Sequence, residues 1–307
     1  MQPKHVHVDA SRLVRPAPLA SLPLLPSTAK DRYFDYCLEA YSPRRPWQGK
    51  LRSENLVWHA LQVGGTHDAL AAPLLAIQRS LGADMTVWGV KWDGARLFWE
   101  LYFYDPQKED VAARASSVGA TLAPWLVLAP VVRETIPYMM VSFDLTHASA
   151  SAGRIEELNL YLTGQKEHAG RSYKVRGDGS VALENTYRFL EAKPESDAIL
   201  ALLKSSLFVD YSDPRVLSKV LIPELFACKK ICVSKKRTCD AIYYSGITVE
   251  QLLWFLRRFE YPAALVEFVV AHQDELEHLY FDVGIDYRQD PVSGAMKYPK
   301  SSYYGTL

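Results

Sequence analysis

The chain has no surplus of either charge, few cysteines, no long apolar run and none of the common phosphate-binding signatures. Its 35 basic residues balance 35 acidic ones. The overall field would therefore steer it to neither nucleic acid nor an anionic membrane, although a local basic site stays open. No apolar stretch reaches the roughly 18 residues of a membrane-spanning helix. The start, MQPKHVHVD, lacks a basic stretch followed by an apolar core, so no secretory leader is expected and a cytoplasmic location is. The 4 cysteines stand at 37, 228, 232 and 239. The C-x3-C-x6-C spacing of the last three fits neither the paired C-x2-C of structural zinc nor a disulfide framework, and buried, reduced thiols are expected. His5 and His7 sit on a loose N-terminal stretch without further ligands nearby, so no metal site is expected. GxxxxGKS/T, GxGxxG after a strand, HExxH, GxSxG and the aspartate-rich DDxxD are all absent, which removes the usual nucleotide, zinc-protease, esterase and helical terpenoid-synthase readings.

What is present is a folded composition, 49% apolar and 23% charged, with 18 Tyr outnumbering 11 Phe. Tyrosine suits strands and amphipathic cavities better than dry cores. Residues 1–30 hold 5 prolines and read as an N-terminal arm; 31–307 read as one domain. A helix is expected over 66–81, despite Pro73, and others over about 108–123, 195–206, 214–226, 248–258 and 261–277, the 248–258 stretch being clearly amphipathic. Between them the period changes to two. Five hairpins are expected: 85–92 with 97–105, 138–146 with 154–164, 171–176 with 181–190, 228–237 with 238–247, and 279–290 with 295–305.

Alternation within these strands carries the fold. Val141, Phe143 and Leu145 share one face and Ser142, Asp144 and Thr146 the other; Leu158, Leu160 and Leu162 oppose Asn159, Tyr161 and Thr163. Helices must cover the apolar face. The other face is both polar and aromatic, which suits an enclosed lumen. The expected fold is α+β: an antiparallel ten-stranded β-barrel of five hairpins surrounded by α-helices. A doubly wound parallel sheet is disfavoured, since its strands are apolar on both faces.

A metal-free anion site in such a lumen needs several converging cations with tyrosine hydroxyls. The strands supply Lys91, Lys174, Arg176, Arg188, Lys230, Lys235, Arg288, Lys297 and Lys300, of which Lys91, Arg188, Lys230, Arg288 and Lys297 are assigned to the polar phase. Tyr102, Tyr161, Tyr243 and Tyr303 are the candidate aromatic contacts for a cation. Glu100 shares its phase with Phe98, Tyr102 and Tyr104; it is either a general base with a raised pKa or the partner of a cross-strand salt bridge with Lys91.

Over roughly residues 85–307 the chain resembles the soluble aromatic prenyltransferases of the ABBA, or PT-barrel, family. WELYFYD is similar to the acid-bearing strand of that family's first hairpin. GRIEELNLYLTG and TCDAIYYSGI are similar to two further strand patterns, CKKICVSKK to its basic strand before the fourth turn, and GAMKYPKSSYYG to its closing strand. The resemblance implies transfer of a prenyl group from an isoprenoid diphosphate to an electron-rich aromatic acceptor, a small molecule or a peptide side chain. Glu100 matches the first-hairpin acid, Lys230 a basic position on the fourth hairpin, and Lys297 with Tyr303 the closing pair. No cofactor is required on this reading and Mg2+ is compatible with it; a monomer is expected, with no nucleic-acid or membrane partner. Two departures stand out. Few residues separate LNLYLTG from RSYKVR, too few for the family's helix there, and Ala241 stands where the family often has an arginine. Two other functions fit the same barrel: a non-catalytic binding protein for an apolar ligand or peptide, and a different enzyme using Glu100, Asp144 or Asp286 for acid–base chemistry.

Overall fold

The computed structural model describes residues 22–307 apart from 108 and 164–168; His5 and His7 lie outside these. Ten strands close into one barrel: β1 (Thr86–Trp92), β2 (Leu97–Tyr104), β3 (Met140–Leu145), β4 (Glu157–Thr163), β5 (Ala169–Arg176), β6 (Val181–Glu191), β7 (Lys230–Lys236), β8 (Asp240–Ile247), β9 (Phe281–Gln289) and β10 (Met296–Thr306). Each strand pairs antiparallel with its sequence neighbours, and β10 returns to β1 to close the cylinder. The five expected hairpins are all present. Three of the turns carry aspartates whose carboxylates accept backbone N–H groups two or three residues on: Asp93 from Ala95 and Arg96, Asp178 from Ser180, Asp290 from Val292 and Ser293. Such side-chain bonds pre-form the reversal.

Nine α-helices lie around the barrel among the described residues. Six of them form the main cover: α1 (Glu54–Val63), α2 (His67–Leu81), α3 (Ala115–Leu122), then α5 (Ser196–Lys204), α7 (Val249–Arg258) and α8 (Ala263–Ala271). Together with the outward stripes Trp99/Leu101/Phe103, Val141/Phe143/Leu145, Leu158/Leu160 and Val283/Ile285 they form one core, as the alternation requires. Helix α7 starts in a full capping box between Thr248 and Gln251. The remaining helices, α4 (His147–Ala152), α6 (Pro214–Val220) and α9 (Gln273–Leu276), are short. Several helical expectations are revised. The stretch expected at 108–123 is a 3-10 turn followed by α3, that at 214–226 ends at Val220, and that at 261–277 breaks at His272 into α8 and α9. The small-residue loop of the second hairpin contains α4, capped reciprocally by Thr146 and Ser149. Part of the N-terminal arm is docked: Leu25 exchanges hydrogen bonds with the Asn55 side chain, and Ser27 N–H donates to the Lys50 carbonyl.

The barrel closes in full although only 5 residues lie between β4 and β5. Strand pairing across that joint runs from Glu157↔Arg176 to Thr163↔Gly170, so closure does not depend on a helix there. The cost is local cover. Val181 and Leu183, at the start of β6, are 61% and 46% exposed. The connections within the five hairpins lie at one end of the cylinder and the connections between hairpins at the other, so the lumen has two distinct mouths. None of the helices among the described residues is long and apolar enough to cross a membrane.

Candidate active site in the barrel lumen

The inner face divides into two halves. At the hairpin-turn end a cavity of about 520 Å³ holds Lys91, Lys174, Arg176, Lys236, Arg237 and Lys300 with Glu100, Asp144, Glu184 and Asp286. At the other end a cavity of about 330 Å³ is lined by Tyr36, Tyr104, Met140, Leu162, Phe189 and Cys232 among others. Tyr102, Tyr161, Tyr187 and Tyr243 line both. With Tyr304 they form a chain of neighbouring rings, Tyr187–Tyr161–Tyr102–Tyr304–Tyr243, at centroid spacings of 6.0, 6.4, 6.1 and 6.3 Å.

This belt has a repeating construction. Each hairpin gives one tyrosine from its second strand, and directly across from it stands a small residue on the first strand of the next hairpin. The pairs are Tyr102↔Ser142, Tyr161↔Ser172, Tyr187↔Ser234, Tyr243↔Gly284 and, across the closure, Tyr304↔Gly89. Large–small pairing lets five rings share one layer of a cylinder without filling it. Several hydroxyls point to the charged half: Tyr102 donates to Glu100 at 2.5 Å, Tyr187 accepts from Asn185 at 2.7 Å, and Tyr304 lies 2.8 Å from the Ser302 hydroxyl. Burial raises the pKa of all five phenols, so they act as neutral donors and ring faces.

In the charged half Lys91 is ion-paired with both Glu100 and, at 2.6 Å, Asp144. Burial raises the Glu100 pKa, but the Lys91 ammonium and hydrogen bonds from Lys91, Ser142 and Tyr102 outweigh it and lower the value to about 2. Glu100 is therefore an ionised anchor for Lys91 and for the Tyr102 hydroxyl; of the two roles open to it, the salt bridge with Lys91 is the one the geometry shows. Asp286 accepts from Lys236 at 2.6 Å and faces Lys300 at 3.5 Å. Burial lowers the Lys300 pKa, and the nearby Lys236 and Lys91 ammonium groups lower it further against the pull of Asp286. Three lysines from β1, β7 and β10 thus crowd one volume, the arrangement an anion relieves.

The other mouth is crossed by residues 31–41. Tyr36 enters the lumen and stacks on Tyr243 at 6.1 Å. Its N–H donates to Asp282 at 2.8 Å, and its carbonyl accepts from the Tyr104 hydroxyl. Burial, then the Asp35 carboxylate, push the Asp282 pKa up to about 7, against hydrogen bonds from Ser245 and the N–H groups of Tyr36 and Gly246. The folded state holds this proton more tightly than an unfolded aspartate of pKa about 3.9. Its stabilising contribution is therefore complete below about pH 4 and lost as the pH rises to about 7. Urea denaturation across this range should show a steeper fall in stability with pH for the wild type than for Asp282→Asn; parallel curves for the two proteins would remove Asp282 as its source.

Of the residues singled out from the sequence, Lys91, Glu100, Tyr102, Tyr161 and Tyr243 meet in the lumen. Lys230 lies at the opposite mouth, ion-paired with Glu39. Arg188 is corrected to the outer face. The register moves from Tyr173↔Leu183 to Ser172↔Asn185, so Glu184 is an extra residue, and this bulge inverts the phase beyond it. Tyr187 and Phe189 turn inward, and Arg188 pairs with the core residue Val233. A second bulge sits on β10, where Asp286↔Lys300 is followed by Arg288↔Lys297. The extra residue falls at Tyr298–Pro299, a position suited to proline because it needs no ladder N–H. Lys297 and Arg288 are left exposed beyond the rim. Lys300, Ser302 and Tyr304 turn inward, and Tyr303 packs outside against Trp88 and Tyr261. Lys174, Arg176, Lys300, Asp144 and Asp286, also named from the sequence, line the charged half, as does Lys236, which shares the phase of Lys230; Tyr187 and Tyr304 are lumen residues that run against a simple count of strand parity. The four cysteines are free, three of them buried. Among the described residues no three His, Cys, Asp or Glu side chains group as a metal site.

The architecture is that of a PT-barrel-like α+β protein, antiparallel throughout the barrel with helices outside. No known protein-family model and no curated protein matches the chain.

Proposed function

We propose that the protein is an aromatic prenyltransferase that moves a prenyl group from an isoprenoid diphosphate to an electron-rich aromatic acceptor. The observation that supports this reading is the division of one lumen into a lysine-rich half and an aromatic half by a belt of tyrosines. The diphosphate sits among Lys91, Lys236 and Lys300, with Tyr304 and Tyr187 hydroxyls on its flank. The acceptor ring sits in the aromatic half. As the donor C1–O bond breaks, its electron pair leaves on the diphosphate. A ring carbon of the acceptor supplies the pair for the new carbon–carbon bond, and the ring proton passes to the released diphosphate. The lysines stabilise the growing negative charge, and the tyrosine faces shield the allylic cation from water. Glu100, already ionised, holds Lys91 and the Tyr102 hydroxyl in place and is not the base.

A second reading, a binding protein, is favoured by one observation: Lys91, Lys236 and Lys300 already have carboxylate partners. Incubation with dimethylallyl, geranyl and farnesyl diphosphates and a panel of phenols, indoles and tyrosine- or tryptophan-containing peptides separates the two. Mass spectrometry should find an acceptor heavier by one prenyl unit, with release of one diphosphate. Tight binding of an acceptor with no product from any donor would favour the binding protein.

A further inference from the structure

Two of the five belt positions differ from the rest. Opposite Tyr102, Tyr161 and Tyr187 stand serines, but Tyr243 and Tyr304 face Gly284 and Gly89. At both the ring lies against bare backbone. A Cβ on Gly284 would stand 2.4 Å from the Tyr243 ring, and one on Gly89 would stand 2.8 Å from the Tyr304 ring, where ordinary contact begins at 3.4 Å. On its other side Tyr243 pairs with Cys232 on β7 and Tyr304 with Asp282 on β9. With a side chain at either glycine the ring has to move, and the open direction is inward, toward the lumen. The space it enters is the throat between the two cavities, since Tyr243 lines both and rests 6.3 Å from Tyr304.

We propose that the Tyr243–Gly284 and Tyr304–Gly89 pairs set the bore of this throat and so decide which isoprenoid chain lengths the donor site accepts. The inference rests on the prenyl-transfer reading. A diphosphate held by Lys236 and Lys300 directs its chain past the belt, and each added isoprene unit must pass beside these two rings on their lumen side. Glycine is needed there because an added Cβ would displace the ring rather than be absorbed.

The test compares binding of inorganic diphosphate with that of dimethylallyl and farnesyl diphosphates by calorimetry. In Gly284→Ala the affinity for the farnesyl compound should fall at least tenfold relative to the dimethylallyl one, with inorganic diphosphate unchanged. Gly284→Ala/Tyr243→Leu removes the displaced ring and should restore the longer chain. If Gly284→Ala does not fold, Gly89→Ala carries the same comparison. An unchanged farnesyl-to-dimethylallyl ratio in a folded variant overturns the bore assignment while leaving prenyl transfer intact. Failure of the wild type to bind any of the alkyl diphosphates overturns prenyl transfer itself, and the bore assignment with it.

Discussion

Replacing Lys91 by methionine is expected to destabilise the fold by about 3–5 kcal/mol, the range for removing one partner of a buried ion pair. Lys91 is 5% exposed and Glu100 3%. Without the ammonium, Glu100 keeps the neutral donors alone: the Ser142 and Tyr102 hydroxyls and, at 3.5 Å, the Asn159 amide. Lys91→Met/Glu100→Gln removes the stranded charge and should recover most of the loss. Urea denaturation of the wild type, both single variants and the double variant gives the coupling between the two sites. A Lys91→Met cost below about 1 kcal/mol, the level of exposed pairs, would show that this end of the barrel is wetter than its packing indicates.

The second large effect concerns anion binding. Lys300→Met and Lys236→Met should each weaken inorganic diphosphate binding by roughly 10- to 150-fold, the worth of one hydrogen bond to a charged group. The two variants should differ in stability. Lys236 is the closer partner of Asp286, so its loss leaves that buried carboxylate facing only the more distant Lys300. Removing Lys300 relieves repulsion from Lys236 and Lys91 and should cost the fold little. Calorimetric titration with diphosphate, beside the melting temperature of each variant, checks both halves of this expectation. Undiminished affinity in both variants would move the anion site away from this lysine cluster.

Much of the barrel was legible along the chain. The alternation in VSFDLT and LNLYLT, the aspartate-centred turns and five hairpin signals fix ten strands with one apolar face. Closing such a run removes both exposed sheet edges, and the pairing of the last strand with the first does so here. The lumen was less legible, for a reason visible in two segments. Parity assigns faces correctly only while a strand is regular, and VALENTYRFL and AMKYPKSSYYG each contain one extra residue. A count across those bulges puts Arg188 and Lys297 on the polar phase, and the resemblance points to Tyr303; Tyr187, Lys300 and Tyr304 occupy the lumen instead.

The local pattern of the chain therefore determined the hairpins, the number of barrel strands, the apolar face and the abundance of tyrosine available to the other. Those properties depend on backbone pleat and turn chemistry, which reach only a few residues. Tertiary structure alone decided which tyrosines form the belt, which lysines share one volume, and that Tyr36 enters from a loop outside the barrel. It also brought Gly89 of the first strand against Tyr304 of the last. A bulge arises where a strand must match its partner, and barrel closure joins residues from opposite ends of the domain. Neither constraint is written in the residues on either side of it.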